Sequence, residues 1–95
     1  MSRIAFEDIV TFDDHTILRM LKDVDGNVFA VALKVASDEL LARVYKNISS
    51  RAAALLKEDI GLGRTIMNEV TAAQQQVVDL IEALEESGQI RLPRK

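Results

Sequence analysis

The chain has 95 residues, a formal net charge of -3 at pH 7, 48% apolar and 28% charged residues, and no cysteine. That length allows one domain with a modest core. The missing cysteines exclude disulfides and thiolate metal sites, and the weakly acidic balance argues against nucleic-acid binding, which needs clustered Lys and Arg. With one proline, four glycines and 4% aromatic residues, a turn-rich β-sandwich is disfavoured and a small helical protein favoured. No run approaches the ~20 apolar residues of a membrane span, and the N-terminus lacks the apolar stretch of an export signal. The expectation is a cytosolic protein.

In chain order, Phe6, Ile9 and Val10 recur at helical spacing and suggest one or two opening turns. Asp13 resembles an N-cap, with Ile17, Leu18, Met20, Leu21 and Val24 as the apolar face of the next helix. Asp25-Gly26-Asn27 is a turn signal. Val28 to Leu33 would suit a strand in isolation, but nothing nearby could pair with it, so a short buried helix is preferred. Ser37 caps a further helix, with Asp38 and Glu39 placed well against its dipole and Leu40, Leu41, Val44, Tyr45 and Ile48 facing inward. Ser49 or Ser50 caps the helix that Gly61-Leu62-Gly63 breaks. Asn68 then caps a long final helix to about Ser87, striped by Val70, Ala73, Val77, Leu80, Ile81 and Leu84. Gly88 fits the left-handed C′ position that ends it. Gln89 to Leu92 can be extended, and residues 1–5 and 93–95 are expected to fray.

The expected fold is therefore all-α: a compact bundle of about six helices in one domain, residues 1–95, with right-handed superhelical, armadillo-like packing. No linker or strict repeat interrupts it.

Catalytic and ligand signals are weak. His15, the only histidine, stands in the first turn of a helix with no nucleophile or paired carboxylate in reach, and reads as a solvated residue. Asp13 and Asp14 lack the further oxygen ligands of a calcium loop, so capping explains them better than a metal. Gly61-Leu62-Gly63-Arg64-Thr65 lacks the spacing and the preceding strand of a phosphate loop and reads as a helix terminator. Gln74-Gln75-Gln76 reads as an exposed face, and Met20 and Met67 as core. No catalytic residue, cofactor or metal is expected.

The most informative feature is the segment from Asn47 to Asp59. At about 100° per residue, Arg51 and Glu58 lie roughly 20° apart on the helix wheel, two turns apart along the axis. Lys57 extends this polar arc on one side and Asp59 sits toward its other edge, while Ala52, Leu56 and Ile60 point the opposite way, into a core. Charges held in fixed order on a short helix suggest a surface read by another charged surface. Plain solvation is the competing account.

Phe6-Glu7-Asp8-Ile9-Val10, Asp13-Asp14, Leu21-Lys22-Asp23-Val24-Asp25, Ala32-Leu33-Lys34 and Ala36-Ser37-Asp38-Glu39-Leu40 form an ordered series with Lys46-Asn47-Ile48-Ser49-Ser50-Arg51-Ala52-Ala53, Leu56-Lys57-Glu58-Asp59, Ala73-Gln74-Gln75 and Leu84-Glu85-Glu86-Ser87-Gly88. In order and spacing this series resembles the C-terminal domain of the flagellar motor switch protein FliG, over about Phe6 to Ile90. The resemblance implies a non-enzymatic rotor component of the bacterial flagellar motor, active in motility and chemotaxis at the cytoplasmic face of the inner membrane. It implies a charged ridge that transmits torque by meeting the cytoplasmic loop of the stator protein MotA, with neighbouring FliG and FliM subunits as further partners and neither nucleic-acid binding nor membrane insertion.

The resemblance carries the family's ridge onto Lys34, Arg51, Glu58 and Asp59. The remaining basic position falls on Ile66, with Arg64 the nearby substitute, because the family's Gly-Pro-Val-Arg phrase here reads Gly63-Arg64-Thr65-Ile66. Val35 stands where the family has glycine, so a hinge there is stiffer or the preceding helix runs further. The family's Met-Phe-x-Phe linker is reduced to Arg3-Ile4-Ala5-Phe6. The family's N-terminal and middle domains have no counterpart, which leaves two expectations open: an excised domain, or a stand-alone paralogue acting as an interaction module without torque.

Overall fold

The structure, a computed structural model, describes residues 4–93. Its order begins with a 3-10 turn at Phe6–Thr11, then α1 (Asp14–Asp23) and α2 (Gly26–Ala32). A second 3-10 turn at Leu33–Val35 leads to α3 (Asp38–Lys46), α4 (Ser50–Gly61) and α5 (Met67–Glu86). Because α2 passes without a break into Leu33–Val35, the helical segments number six, and no strand occurs among the described residues. The apolar run at Val28–Leu33 is thus helical, and α2 extends as far as Val35 in 3-10 form.

Local chemistry explains most boundaries. The Asp13 carboxylate accepts the Thr16 N–H at 2.7 Å, and Ser37 Oγ and Ser49 Oγ each accept the N–H three residues on at 3.1 Å. Ser49, not Ser50, is therefore the cap of α4. Asp25-Gly26-Asn27 proves to be a helix start: Asp25 Oδ1 accepts the N–H groups of Asn27 and Val28 at 2.8 and 3.1 Å, which draws Gly26 and Asn27 into the first turn of α2. Gly88 takes φ +79°, with Gln89 N–H on the Leu84 carbonyl and Gly88 N–H on that of Glu85, both 2.9 Å. This paired closure of a helix end needs the left-handed residue that glycine supplies.

Three further expectations, on Asn68, Met67 and Leu18, are corrected. Asn68 does not cap α5: the helix begins one residue earlier, on extended Ile66, whose carbonyl accepts from Glu69 and Val70 N–H at 2.9 and 3.0 Å. Met67 is 55% exposed rather than core, because the register that buries Val70 and Ala73 turns it outward. Leu18 is likewise exposed, lying off the Ile17–Met20 stripe that α1 buries.

One core joins the first turn to the last helix: Ile9, Ile17, Met20, Leu33, Leu40, Val44, Val70, Val77 and Ile81 are all nearly or fully sealed from solvent. α5 is its axis. It packs mainly against α2, and also against α1 and both 3-10 turns. Gln74 belongs to this packing and not to the exposed face expected for it, since it is half-buried and its Nε2 donates to the Ala32 carbonyl at 3.1 Å. Phe6 and Phe29 meet edge to face, with centroids 6.4 Å apart. At the N-terminal side Ile4 packs on the core and Ala5 N–H donates to Asp8 Oδ2 at 2.9 Å. The fraying expected at residues 1–3, 94 and 95 lies outside the described residues.

α3 is held by polar clasps between residues far apart in sequence. Glu7 accepts the Ser37 N–H at 3.0 Å and the Ser37 hydroxyl at 2.6 Å. Asp14 accepts from Arg43 at 2.9 Å, Asn47 at 3.2 Å and Lys46 at 3.6 Å, while Arg43 also donates to the Phe12 carbonyl. The Asn47 hydrogen bond, with Lys46 and Arg43 nearby, holds the Asp14 carboxyl below the usual carboxylate range. α4 rests on α2 and the Leu33–Val35 turn.

Candidate charged interaction surface

α4 docks shallowly. Ala53 is its one buried residue, and Ala52, Leu56 and Ile60, expected to reach the core, are half-buried. Leu56 and Ile60 pack against the edge of the core, and the rest of the helix seals little surface. The outer face is left free, and Arg51, Glu58 and Asp59 are all exposed on it without an ion pair among the described residues.

Lys57 is not part of that face. Its ammonium sits 4.8 Å from the Tyr45 ring centroid, a cation–π contact that ties α4 to α3. Tyr45 is half-buried, and that burial pushes its phenol above its ordinary pKa. Arg51 thus remains the cation on the outer face of α4.

The structure brings Lys34 to the same helix by a different route. From the 3-10 turn before α3, its Nζ donates to the carbonyls of Ile60 at 2.7 Å and Leu62 at 2.5 Å. These carbonyls lie at the C-terminal end of α4, where intrahelical donors run out and the dipole favours a cation. Lys34 is therefore half-buried and committed to closing α4, at the end that carries Glu58 and Asp59. Arg64 is exposed in the connection to α5, beyond the left-handed Gly63 with φ +70°. Ile66, also exposed, precedes α5, so a side chain at that position faces solvent.

Sequence reasoning did not anticipate the Lys34 clasp or the Glu7–Ser37 clamp. Each joins residues 26 to 30 positions apart, and neither has a periodic signature. It also passed over Leu55, exposed on the charged side of α4, and Leu62, exposed just past the end of the helix.

The family model for the FliG C-terminal domain matches residues 2–92. The chain belongs to this family. It is 46% identical over 91 residues to the flagellar motor switch protein FliG of Thermotoga maritima, covering 95% of the chain and 27% of that relative. The crystal structure of residues 116–343 of Helicobacter pylori FliG superposes with a TM-score of 0.89 at 34% identity, over 93% of this chain and 39% of that one. Full-length FliG from Aquifex aeolicus gives 0.85 at 37% identity, over 93% and 28%. The chain thus spans about a quarter of the length of the curated FliG relatives it matches.

As a FliG C-terminal domain, the chain shows no group of His, Cys, Asp or Glu suited to a metal among the described residues. None of its described helices is long and apolar enough to cross a membrane.

Proposed function

We propose that the chain is a non-enzymatic rotor domain of the bacterial flagellar motor, placed on the cytoplasmic face of the inner membrane. In this reading the outer face of α4 transmits torque by meeting the cytoplasmic loop of the stator protein MotA. The observation that carries it is the freedom of that face: Arg51, Glu58 and Asp59 are exposed and take no part in docking α4. Arg64 extends the face beyond the helix, and Lys34 holds the helix end in place. Neighbouring FliG and FliM subunits are the further partners of the same proposal.

Exposed ion pairs are each worth roughly 0.2–1 kcal/mol and are screened by salt. That weakness suits a contact that forms and breaks at every step of rotation. The test is charge reversal. Arg51→Asp is expected to weaken stator binding and swarming, and reversal of the facing acid on the stator loop to restore both. Unchanged binding and motility after single alanine changes at Arg51, Glu58, Asp59 and Arg64 would overturn the proposal.

One observation favours a second reading, an interaction module of the same fold without a stator. Ile66 places an exposed apolar side chain where the resemblance expects a basic one. That module would bind its partner equally well after Arg51→Asp.

A further inference from the structure

Two polar clasps of the fold meet on one short piece of chain. Glu7 of the entry turn holds Ser37, and Lys34, three residues earlier, holds the end of α4. The strap between them has little slack. Leu33 and Leu40, 1% and 0% exposed, pin it to the core on both sides. The Ala36 N–H donates to the Leu33 carbonyl at 3.1 Å, and Ala36 and Ser37 are extended before α3 begins. No glycine lies between the two leucines. Val35, far more restricted in φ and ψ than glycine, stands where the family has one.

Glu7 is itself set by the core, between the buried Phe6 and Ile9. Its two carboxylate oxygens accept separate donors of Ser37, the N–H at 3.0 Å and the hydroxyl at 2.6 Å. The same hydroxyl accepts the Leu40 N–H at 3.1 Å, so the clasp and the cap of α3 strengthen one another. At the other end of the strap, Lys34 Nζ reaches the carbonyls of Ile60 and Leu62. Ordering a segment costs conformational entropy. With Ser37 held, part of the ordering that the Lys34 clasp requires is complete before that clasp forms. Contacts that order the same segment therefore reinforce each other without touching.

We infer that Glu7 is a positioning residue for the C-terminal end of α4, acting through the Lys34–Ser37 strap. Among the described residues its side chain bonds Ser37 and no residue of α4. The entry turn thereby sets how firmly the end that carries Glu58 and Asp59 is held. The bearing of this on the stator rests on the contact proposed above; the coupling itself does not.

Residue-resolved amide exchange of the 95-residue chain tests the coupling. Glu7→Ala is expected to speed exchange of the Gly61 and Leu62 amides about threefold and to leave Ala52 and Ala53, in the first turn of α4, unchanged. In a Lys34→Met or a Val35→Gly background the same substitution is expected to add nothing at Gly61 and Leu62. Asp14→Asn, which loosens α3 away from the strap, is expected to leave both amides as they are. The inference is overturned if Glu7→Ala does not move the last turn, speeds all of α4 alike, or keeps its full effect in either background. An equal effect from Asp14→Asn overturns it too, by assigning the change to α3 as a whole. Binding of the MotA cytoplasmic segment to Arg51→Asp separates the two proposals. Weakened binding with the last turn unmoved by Glu7→Ala leaves the stator contact and removes the coupling. Unchanged binding with exchange as expected removes the stator contact and leaves the coupling.

Discussion

Helices α5 and α4 spend their apolar side chains in opposite ways. α5 buries Val70, Ala73, Val77, Val78, Ile81 and Leu84 against α2, α1 and both 3-10 turns. α4 buries Ala53 alone and shows Leu55 to solvent. The difference follows from position. α5 is covered along its apolar side by α2, α1 and both 3-10 turns, so each Val, Ile and Leu on its stripe gains roughly 1.5–3 kcal/mol by leaving water. α4 lies on the outside of α2, held by Ala53, the half-buried Leu56 and Ile60, the Lys57–Tyr45 contact and the Lys34 clasp. A helix docked with so little of its surface can change its outer side chains without unfolding the domain, and that freedom suits a binding face.

The contrast breaks first in the core. Ile81→Ala removes a fully buried side chain from the axis of the bundle and is expected to cost about 2–5 kcal/mol in urea unfolding. A loss below ~1 kcal/mol would show that α5 is not the structural centre.

Lys34→Ala tests the joint between the two regions. It leaves the carbonyls of Ile60 and Leu62 without their donor and is expected to cost about 1 kcal/mol. Faster amide exchange should be confined to the last turn of α4. Uniformly faster exchange would mean that α4 is part of the core's cooperative unit.

Acid sharpens the same division from the core side. The folded-state pKa of Asp14 is lowered by Asn47, Lys46 and Arg43, and that of Asp13 by the Thr16 N–H. Lowered carboxylates stabilise fully above the ordinary value of 3.8 and lose that contribution as pH falls through the folded pKa. The thermal midpoint is therefore expected to hold from pH 7 to about pH 5 and to drop below pH 4. Asp14→Asn should start lower at neutral pH and fall less steeply in acid. A parallel curve would show that Asp14 does not hold α1 to α3.

The smallest effect belongs to the ridge. Arg51→Ala and Glu58→Ala are expected to change stability by less than about 0.5 kcal/mol while weakening partner binding. A larger stability loss would assign these charges to the fold.

Residue order alone was enough for the helices and most of their caps. Asp13, Ser37, Ser49 and Gly88 each announce a boundary through hydrogen bonds to near neighbours, and such bonds depend on spacing of three to five residues. Asn68 misled because side-chain capping preference is weak beside the tertiary register that buries Val70 and Ala73. Met67 and Leu18 misled because an apolar stripe wider than its partner leaves its margins in water.

The candidate surface divides in the same way. The angular grouping of Arg51, Glu58 and Asp59 comes from helix periodicity, and the ordered phrases from Phe6 to Gly88 carry the family. Whether each charge is free or engaged depends on what packs beside it. Lys34 looked like one more exposed cation until the fold set its ammonium against two carbonyls 26 and 28 residues away, and Lys57 left the ridge for the Tyr45 ring. Contacts of that range have no period in a sequence, because they depend on how whole helices are placed. Periodicity therefore determined which residues share a face of α4, and only the tertiary structure decided which of them remain available to a partner.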